Sequence, residues 1–359
     1  MANRSVAKVG FQVPDEHVHN ITGYCAAEMA FEDANKKGEL PFDIEIVPII
    51  TRKNIEIARR EADAFTKLPD AIGVLGDLNS AMAVSTKDIY AKAEFAQLSS
   101  EASSPLLTPK GNKNFFRLVA NDEVQGRELG KVAAKYLKCR NIAVLSDNSA
   151  WGRPIAEIFT AEVKRLGCDV SVEFYFTEKE ENLDFDDMIE QTVAAKPDLV
   201  YFAVYWNKAH IITHRLRDLG VNAVFLGSDA LKPFAFLEVP SLDKVSPYHS
   251  LAGVDIRIKK SCEKFFREFA LRYPTMLNAP QYAAEAYDIA GVLIEAMKRA
   301  GKIDHKQVLH ELQNIGTYEG AIGTISFDEN GDLVNPEIGL YQCKDGLRNY
   351  IGPISSLVE

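Results

Sequence analysis

Short apolar runs and longer amphipathic segments alternate along nearly the whole 359-residue chain, and this alternation narrows the folds open to it. Val6–Val13, Ile44–Ile49, Ala71–Gly76, Phe95–Ser99 and Phe115–Leu118 read as strands. Between them, Ile21–Asn35, Ile55–Lys67 and Ser80–Ala91 carry apolar residues at helical spacing. Strands separated by helices pair most readily in a parallel sheet covered by helices on both faces. The pattern then restarts: helix Gln125–Tyr136, strand Asn141–Ser146, helix Gly152–Leu166, strand Val170–Phe176, helix Phe185–Ala195, strand Leu199–Val204, helix Ala209–Leu219 and strand Ala223–Leu226. No residue-level repeat links the two stretches; their likeness is architectural.

After Ser250 the rhythm changes. Lys259–Tyr273, Gln281–Ala300 and His305–Asn314 are helices in succession, Thr317–Asp332 reads as strand and turn, and Ile338–Cys343 with Leu347–Ile351 reads as a hairpin closing on Lys344-Asp345-Gly346. The late helices have no sheet of their own and must pack on one already built. At this length a single core has stopped growing. The expectation is an α/β chain of two doubly wound lobes, crossed by the chain more than once.

Several classes of function are excluded early. A net charge of -10 opposes a nucleic-acid surface, which needs clustered Lys and Arg. No apolar run approaches the roughly 20 residues of a membrane span, so no membrane insertion is expected. The start Met1-Ala2-Asn3-Arg4 leads almost at once into strand Val6, which fits a mature form with an added Met or a cytoplasmic protein. Cys25, Cys139, Cys168, Cys262 and Cys343 form no CxxC pair, so a zinc cluster is not expected; Cys139 and Cys168 precede neighbouring strands, and a bridge between them is one reading, separate buried thiols the other. His210 and His214 have the spacing of a helical metal pair but lack a third ligand, and Asp328–Asp332 lacks the ligand spacing of a calcium loop and reads as a turn. With no GxGxxG, phosphate-binding loop or nucleophile elbow, no cofactor and no enzymatic chemistry are expected.

What remains is ligand binding. In open parallel sheets ligands sit beyond the carboxyl ends of the strands, where helix N-termini converge. Strand Ala71–Gly76 runs into Asp77-Leu78-Asn79-Ser80, where Ser80 is either an ordinary N-cap or part of a carboxylate seat. Leu98–Pro105 ends another strand in hydroxyls that serve a turn or a ligand. In the second stretch, Trp151, Tyr205-Trp206 and Asp229 all follow strand ends. Core packing is the usual reading of one such Trp; both tryptophans of the chain at strand ends, beside Tyr205 and Asp229, favour rings that line a pocket.

In these segments the chain resembles the branched-chain amino-acid-binding family of type I periplasmic binding proteins, which serve ABC transporters. The matching stretches are Lys8–Val13, Ala26–Asn35, Gly73–Ala83, Ser99–Thr108, Phe115–Gly126, Trp151-Gly152, Leu226–Ala230, Gln281–Asp288 and Tyr318–Asp332. The resemblance implies two lobes, 1–120 with 252–328 and 121–251 with 329–359, joined by three hinge crossovers near Val119–Asn121, Ser250–Gly253 and Phe327–Asp332. It implies a periplasmic or extracellular receptor that closes around a small amino acid or related carboxylate and delivers it to a membrane permease. It assigns the ligand carboxylate to Ser80, backbone and hydroxyl contacts to Ala102 and Ser103, and a covering aromatic to Trp151. Tyr205 matches a second-lobe tyrosine, and Asp229 the acid that meets a ligand ammonium. Pro14–His19 replaces the usual Gly/Ser-rich loop, Glu101 stands where small residues are common, and Arg52-Lys53-Asn54 replaces a cysteine loop. His17, His19 and Glu101 are therefore expected to tune the ligand's side-chain end. An aromatic carboxylate is the alternative ligand, and a cytoplasmic sensor on the same fold the alternative role.

Overall fold

The computed structural model describes residues 4–176, 185–231, 246–253, 255, 257–276, 282–344 and 347–359. The chain forms two compact units, Met1–Ala120 with Gly253–Pro336 and Asn121–Ala252 with Glu337–Glu359. It therefore passes from one unit to the other three times.

The sheet of the first unit holds β1 (Val6–Val13), β2 (Asp43–Ile50), β3 (Ala71–Leu75), β4 (Gln97–Ser99) and β5 (Phe115–Arg117) in the order β2-β1-β3-β4-β5, all parallel. Every residue of β3 and β4 is buried, as a strand covered on both faces requires. Helices α1 (Thr22–Lys37), α2 (Ile55–Thr66) and α3 (Ser80–Lys92) supply the crossovers. Gly38 ends α1 in the left-handed conformation, at φ 65°. The late helices α8 (Glu263–Arg272), α9 (Ala283–Ala300) and α10 (His305–Gln313) join this unit: Phe269, Leu293 and Val308 share one core with Val9, Phe11 and Ile72. A methyl group on Gly73 of β3 would lie 3.4 Å from Leu293, which is how closely α9 covers that strand. A small hairpin, β11 (Tyr318–Gly320) with β12 (Gly323–Ile325), is held to α9 by the Asp288 carboxylate, which accepts from Ala321 N at 2.8 Å and Ile322 N at 2.7 Å.

The second unit contains β6 (Asn141–Ser146), β7 (Asp169–Tyr175), β8 (Leu199–Ala203), β9 (Val224–Gly227), β10 (Tyr248–Leu251), β13 (Gly339–Lys344) and β14 (Leu347–Pro353). Their order is β14-β13-β10-β9-β8-β6-β7. The five strands from β10 to β7 are parallel and repeat the order of the first unit. β13 runs antiparallel to both β10 and β14, so the expected C-terminal hairpin extends the parallel doubly wound strands into a mixed sheet. β10 was not legible in the sequence: it is four residues long, and its buried His249 and Ser250 break any apolar run. Ser250 Oγ is satisfied by donating to Gln125 Oε1 at 2.5 Å. Helices α4 (Asp122–Lys131), α5 (Gly152–Arg165), α6 (Asp186–Ala195) and α7 (Trp206–Asp218) connect the strands, and α11 (Ile354–Leu357) ends the chain's regular structure.

α4 and α7 each begin three residues before the expected start. Asn121 caps α4 by accepting from Val124 N at 3.0 Å, which draws the acidic pair Asp122-Glu123 into the first turn. The expected start of α9 at Gln281, the acidic Asp184 before α6 and the turn residues Asp345-Gly346 lie outside the described residues. The chain stays with the first unit through Pro336, where the sequence reading placed the third passage at 328/329. Beyond residue 328 the chain is still tied to the first unit: the Asp332 carboxylate pairs with Arg117 of β5 at 2.6 Å, and Val334 N donates to the Ser326 carbonyl at 3.0 Å. All five cysteines are free and buried, so Cys139 and Cys168 are separate thiols; Cys168 Sγ donates to the Cys139 carbonyl at 3.4 Å.

Candidate functional site

A five-strand order in which the first strand lies between the second and third has a switch point, and ligands of doubly wound sheets bind there. In the first unit the switch lies between β1 and β3, and in the second between β6 and β8. The residues singled out from sequence fall into two groups around those points.

In the first unit, β3 continues into Asp77–Ser80 and β4 into Ser100–Ser104. The N-cap of α3 is Asn79 and not Ser80: the Asn79 side chain accepts from Ala81 N at 2.9 Å and Met82 N at 3.3 Å. This correction moves Ser80 to the first helical position, where its hydroxyl is released from capping. Ser80 Oγ instead accepts from Ser104 N at 3.3 Å, joining the two loops. Ser99 Oγ donates to the Asp77 carbonyl at 3.1 Å and accepts from Ala102 N at 2.9 Å and Glu101 N at 3.2 Å. Ala102 and Ser103 are both buried, and Glu101 is half-buried. The Ala102 N–H is spent inside the loop, so its carbonyl is the backbone group with a second lone pair to offer.

Asp77 was not singled out in the sequence, where it is only the first residue of the run into α3. It is buried, and burial pushes its carboxyl up to about 7, against the N–H groups of Asn79 and Leu78 and the Thr51 hydroxyl, which pull it down. Asp77 Oδ1 accepts from Asn79 N at 2.8 Å, so this carboxyl shapes the turn that presents Ser80.

His17 precedes and His19 lies within a 3-10 turn, Val18–Asn20, after β1, with side chains 78% and 67% exposed. His17 Nδ1 lies 3.3 Å from Asp15 Oδ1 and His19 Nε2 lies 3.3 Å from Glu28 Oε1. The structure thus joins Ser80 to the Ala102–Ser104 loop and turns both histidines toward surface carboxylates.

In the second unit, β6 runs into Asp147–Trp151, β8 into Val204-Tyr205 and β9 into Ser228-Asp229. Trp151, at the N-cap position of α5, is buried, and its ring lies 5.2 Å from that of Tyr205, the N-cap residue of α7, in a tilted arrangement. Trp206 is 39% exposed. Gly152 makes the Trp151 placement feasible: a Cβ there would collide with the Asp147 carboxylate and the Ala203 carbonyl. The loop is braced by Ser149, whose N–H donates to Asp147 Oδ1 at 3.1 Å and whose Oγ accepts from Gly152 N at 2.8 Å. Asp229 opens a 3-10 turn in which Ser228 Oγ accepts from Ala230 N at 3.2 Å. Behind this wall, Tyr201 of β8 is fully buried, stacked on Phe159 at 3.7 Å. Its hydroxyl is raised well above the usual phenol range by burial, and further by the negative charges of Asp122 and Asp229.

Elsewhere, His210 and His214 lie ring to ring at 4.8 Å on α7, and no group of three or more metal-ligating side chains occurs among the described residues. No helix among them is long and apolar enough to cross a membrane.

A family model described as "Periplasmic binding protein" matches residues 22–347. The leucine-, isoleucine-, valine-, threonine-, and alanine-binding protein of Pseudomonas aeruginosa is 25% identical over 327 residues, 90% of this chain and 86% of that one. The solved leucine binding protein LivK of Thermotoga maritima superposes with a TM-score of 0.83 at 21% identity, over 97% of this chain and 98% of the other. A solute binding protein of an ABC transporter from R. palustris, solved with benzoate, gives 0.78 at 15% identity, over 98% and 96%. Each is by name a binding protein. With the family model spanning all but the two ends, two sheets of one strand order and loops of binding chemistry at their switch points, this chain belongs to the periplasmic binding protein family.

Proposed function

We propose that this chain is the solute-binding receptor of an ABC importer, acting in the periplasm or outside the cell, and that its ligand is a small α-amino acid. The observation that carries the choice of ligand is the second unit's half-site: a buried Trp151 against Tyr205, with Asp229 at the end of a neighbouring strand. Rings and a carboxylate together suit an ammonium group, through cation–π attraction and an ion pair. The first unit's half-site has complementary chemistry: the Ser80 and Ser103 hydroxyls near a helix N-terminus suit a carboxylate, and the Ala102 carbonyl suits a further ligand N–H. An α-amino acid supplies both ends. It would be read by Ser80, Ala102 and Ser103 of the first unit and by Trp151, Tyr205 and Asp229 of the second. Glu101, beside Ala102 in the chain, would meet the ligand's side chain, and Trp206, exposed at the start of α7, would add to the aromatic side. The partner that receives the ligand would be the membrane permease of the importer.

A second reading, an aromatic carboxylate, draws on the same ring pair and on the benzoate-bound R. palustris protein. A thermal-shift panel of the twenty amino acids and a set of benzoates separates the two, because a ligand that binds only the folded state raises its melting temperature. Stabilisation by aliphatic or polar amino acids is the expected outcome. Stabilisation by benzoates alone would replace the first reading with the second, and silence from both sets would remove both.

A further inference from the structure

The largest of the fully buried side chains among the described residues is a charged one, Arg117, at the end of β5. A guanidinium out of water needs a counter-charge and a full set of acceptors. Arg117 has the counter-charge and at least one acceptor for each of its three nitrogens, and each acceptor belongs to a segment of consequence. Nη1 donates to the Ala102 carbonyl at 3.1 Å and to the Ser104 carbonyl at 3.0 Å, gripping the loop that carries Ser103. Nε donates to Asp332 Oδ1 at 2.6 Å, and Nη2 to Thr108 Oγ1. Thr108 Oγ1 in turn donates to Asp332 Oδ1 at 2.9 Å, closing a ring of three side chains.

Asp332 ends the Asp328–Asp332 turn, which is itself tightly seated. Arg117 N donates to the Gly331 carbonyl at 3.1 Å, and Asn112 Nδ2 donates to the Asn330 carbonyl at 2.8 Å. Gly331 has φ 90°, and a Cβ there would collide with the Phe115 carbonyl. A turn that looked like simple punctuation in the sequence is thus docked on β5, four residues before the chain leaves the first unit after Pro336.

We propose that Arg117 is the positioning residue of the first half-site: it sets the shape of the Ala102–Ser104 loop and, through Asp332, makes that shape depend on the turn before the third passage. A load on that passage reaches the ligand loop through the guanidinium, because the Ala102 and Ser104 carbonyls and the Asp332 carboxylate all accept from it. The importance of this for binding rests on the function proposed above; the coupling itself does not.

The test is backbone amide exchange on the full chain without ligand, comparing wild type with Asp332→Asn and Arg117→Lys. Asp332→Asn removes the counter-charge from the far side of Arg117; Arg117→Lys keeps the charge and loses the fork. Both variants are expected to speed exchange in 101–104 at least tenfold and to leave α9 at wild-type rates. Wild-type protection of 101–104 in a folded Asp332→Asn protein would overturn the coupling, and so would an equal loss across α9. If Asp332→Asn does not fold, Thr108→Val, which breaks only the ring, decides by the same comparison of 101–104 with α9. Calorimetry with L-leucine and benzoate on the same samples adds the binding arm: weaker binding in Arg117→Lys with α9 unchanged supports a positioning role. If wild type binds neither probe, the function proposed above fails, while the exchange data still judge Arg117.

Discussion

The two units share one strand order and place their loops at the same kind of switch point, yet the loops are built by opposite means. In the first unit the proposed half-site is backbone and hydroxyls, shaped by buried charge: Asp77 orders the turn before Ser80, and Arg117 grips the Ala102–Ser104 loop. In the second it is aromatic surface and an acid, with Trp151 and Tyr205 at the starts of α5 and α7 and Asp229 following β9. A doubly wound sheet therefore dictates where a ligand can sit but not what holds it; the loops decide that.

The largest expected effect belongs to the acid of the second unit. Asp229→Asn should weaken amino-acid binding by roughly 2–5 kcal/mol, the range for one partner of a desolvated charge pair, and leave a ligand without an amine little changed. Calorimetry against both ligand types reads the difference; amino-acid affinity equal to wild type would take the ammonium away from Asp229. Next comes the ring. Trp151→Ala should cost roughly 2–4 kcal/mol of binding, as buried aromatic hot spots do, and should abolish most of the ligand-induced change in tryptophan fluorescence. Normal binding in that variant would make Trp151 a packing residue, and the contrast between the units would lose its aromatic side.

The third prediction tests the buried carboxyls of the first unit. Asp77 is pushed up to about 7 and Asp288 to about 6, from an ordinary 3.8, in both cases chiefly by burial. A raised folded-state value means that the folded protein holds the proton more tightly than the unfolded chain. Their stabilising contribution is complete below the ordinary carboxylate range and is lost as pH rises through 6 to 7. The melting temperature should therefore climb as pH is lowered from 8 toward 5, and Asp77→Asn and Asp288→Asn should each flatten that climb. A wild-type slope in both variants would mean that neither carboxyl keeps its proton. The smallest effect is expected at the histidines: His17→Ala and His19→Ala should change ligand affinity by less than about 0.5 kcal/mol, as exposed substitutions generally do. A larger loss in either would bring the β1 loop back into the first half-site.

Most elements were legible because their burial is one-sided or complete in a regular way: the eight-residue β1 matches its apolar run end to end, and α2 shows its polar and apolar faces. β10 was not, because two of its four residues are polar and become acceptable inside only through partners distant in the chain, such as Gln125 for Ser250. Ser80 was found as a position but mistaken as a cap, since the choice between Asn79 and Ser80 depends on which side chain the backbone turns inward. Arg117 lay inside a stretch already noticed, and nothing in its neighbours separates a solvated arginine from a buried one.

The sequence by itself determined the alternation of strands and helices, the restart after the first five strands, and the concentration of hydroxyls, rings and acids just past strand ends. Those are local properties: period, propensity and turn chemistry act over a few residues. Only the tertiary structure decided that the late helices cover the first sheet, that β13 joins the second sheet antiparallel to β10, and that Asp332 reaches back 215 residues to Arg117. Such contacts follow from the need of buried charges and strand edges to find partners, and the partners are chosen by packing in space rather than by order along the chain.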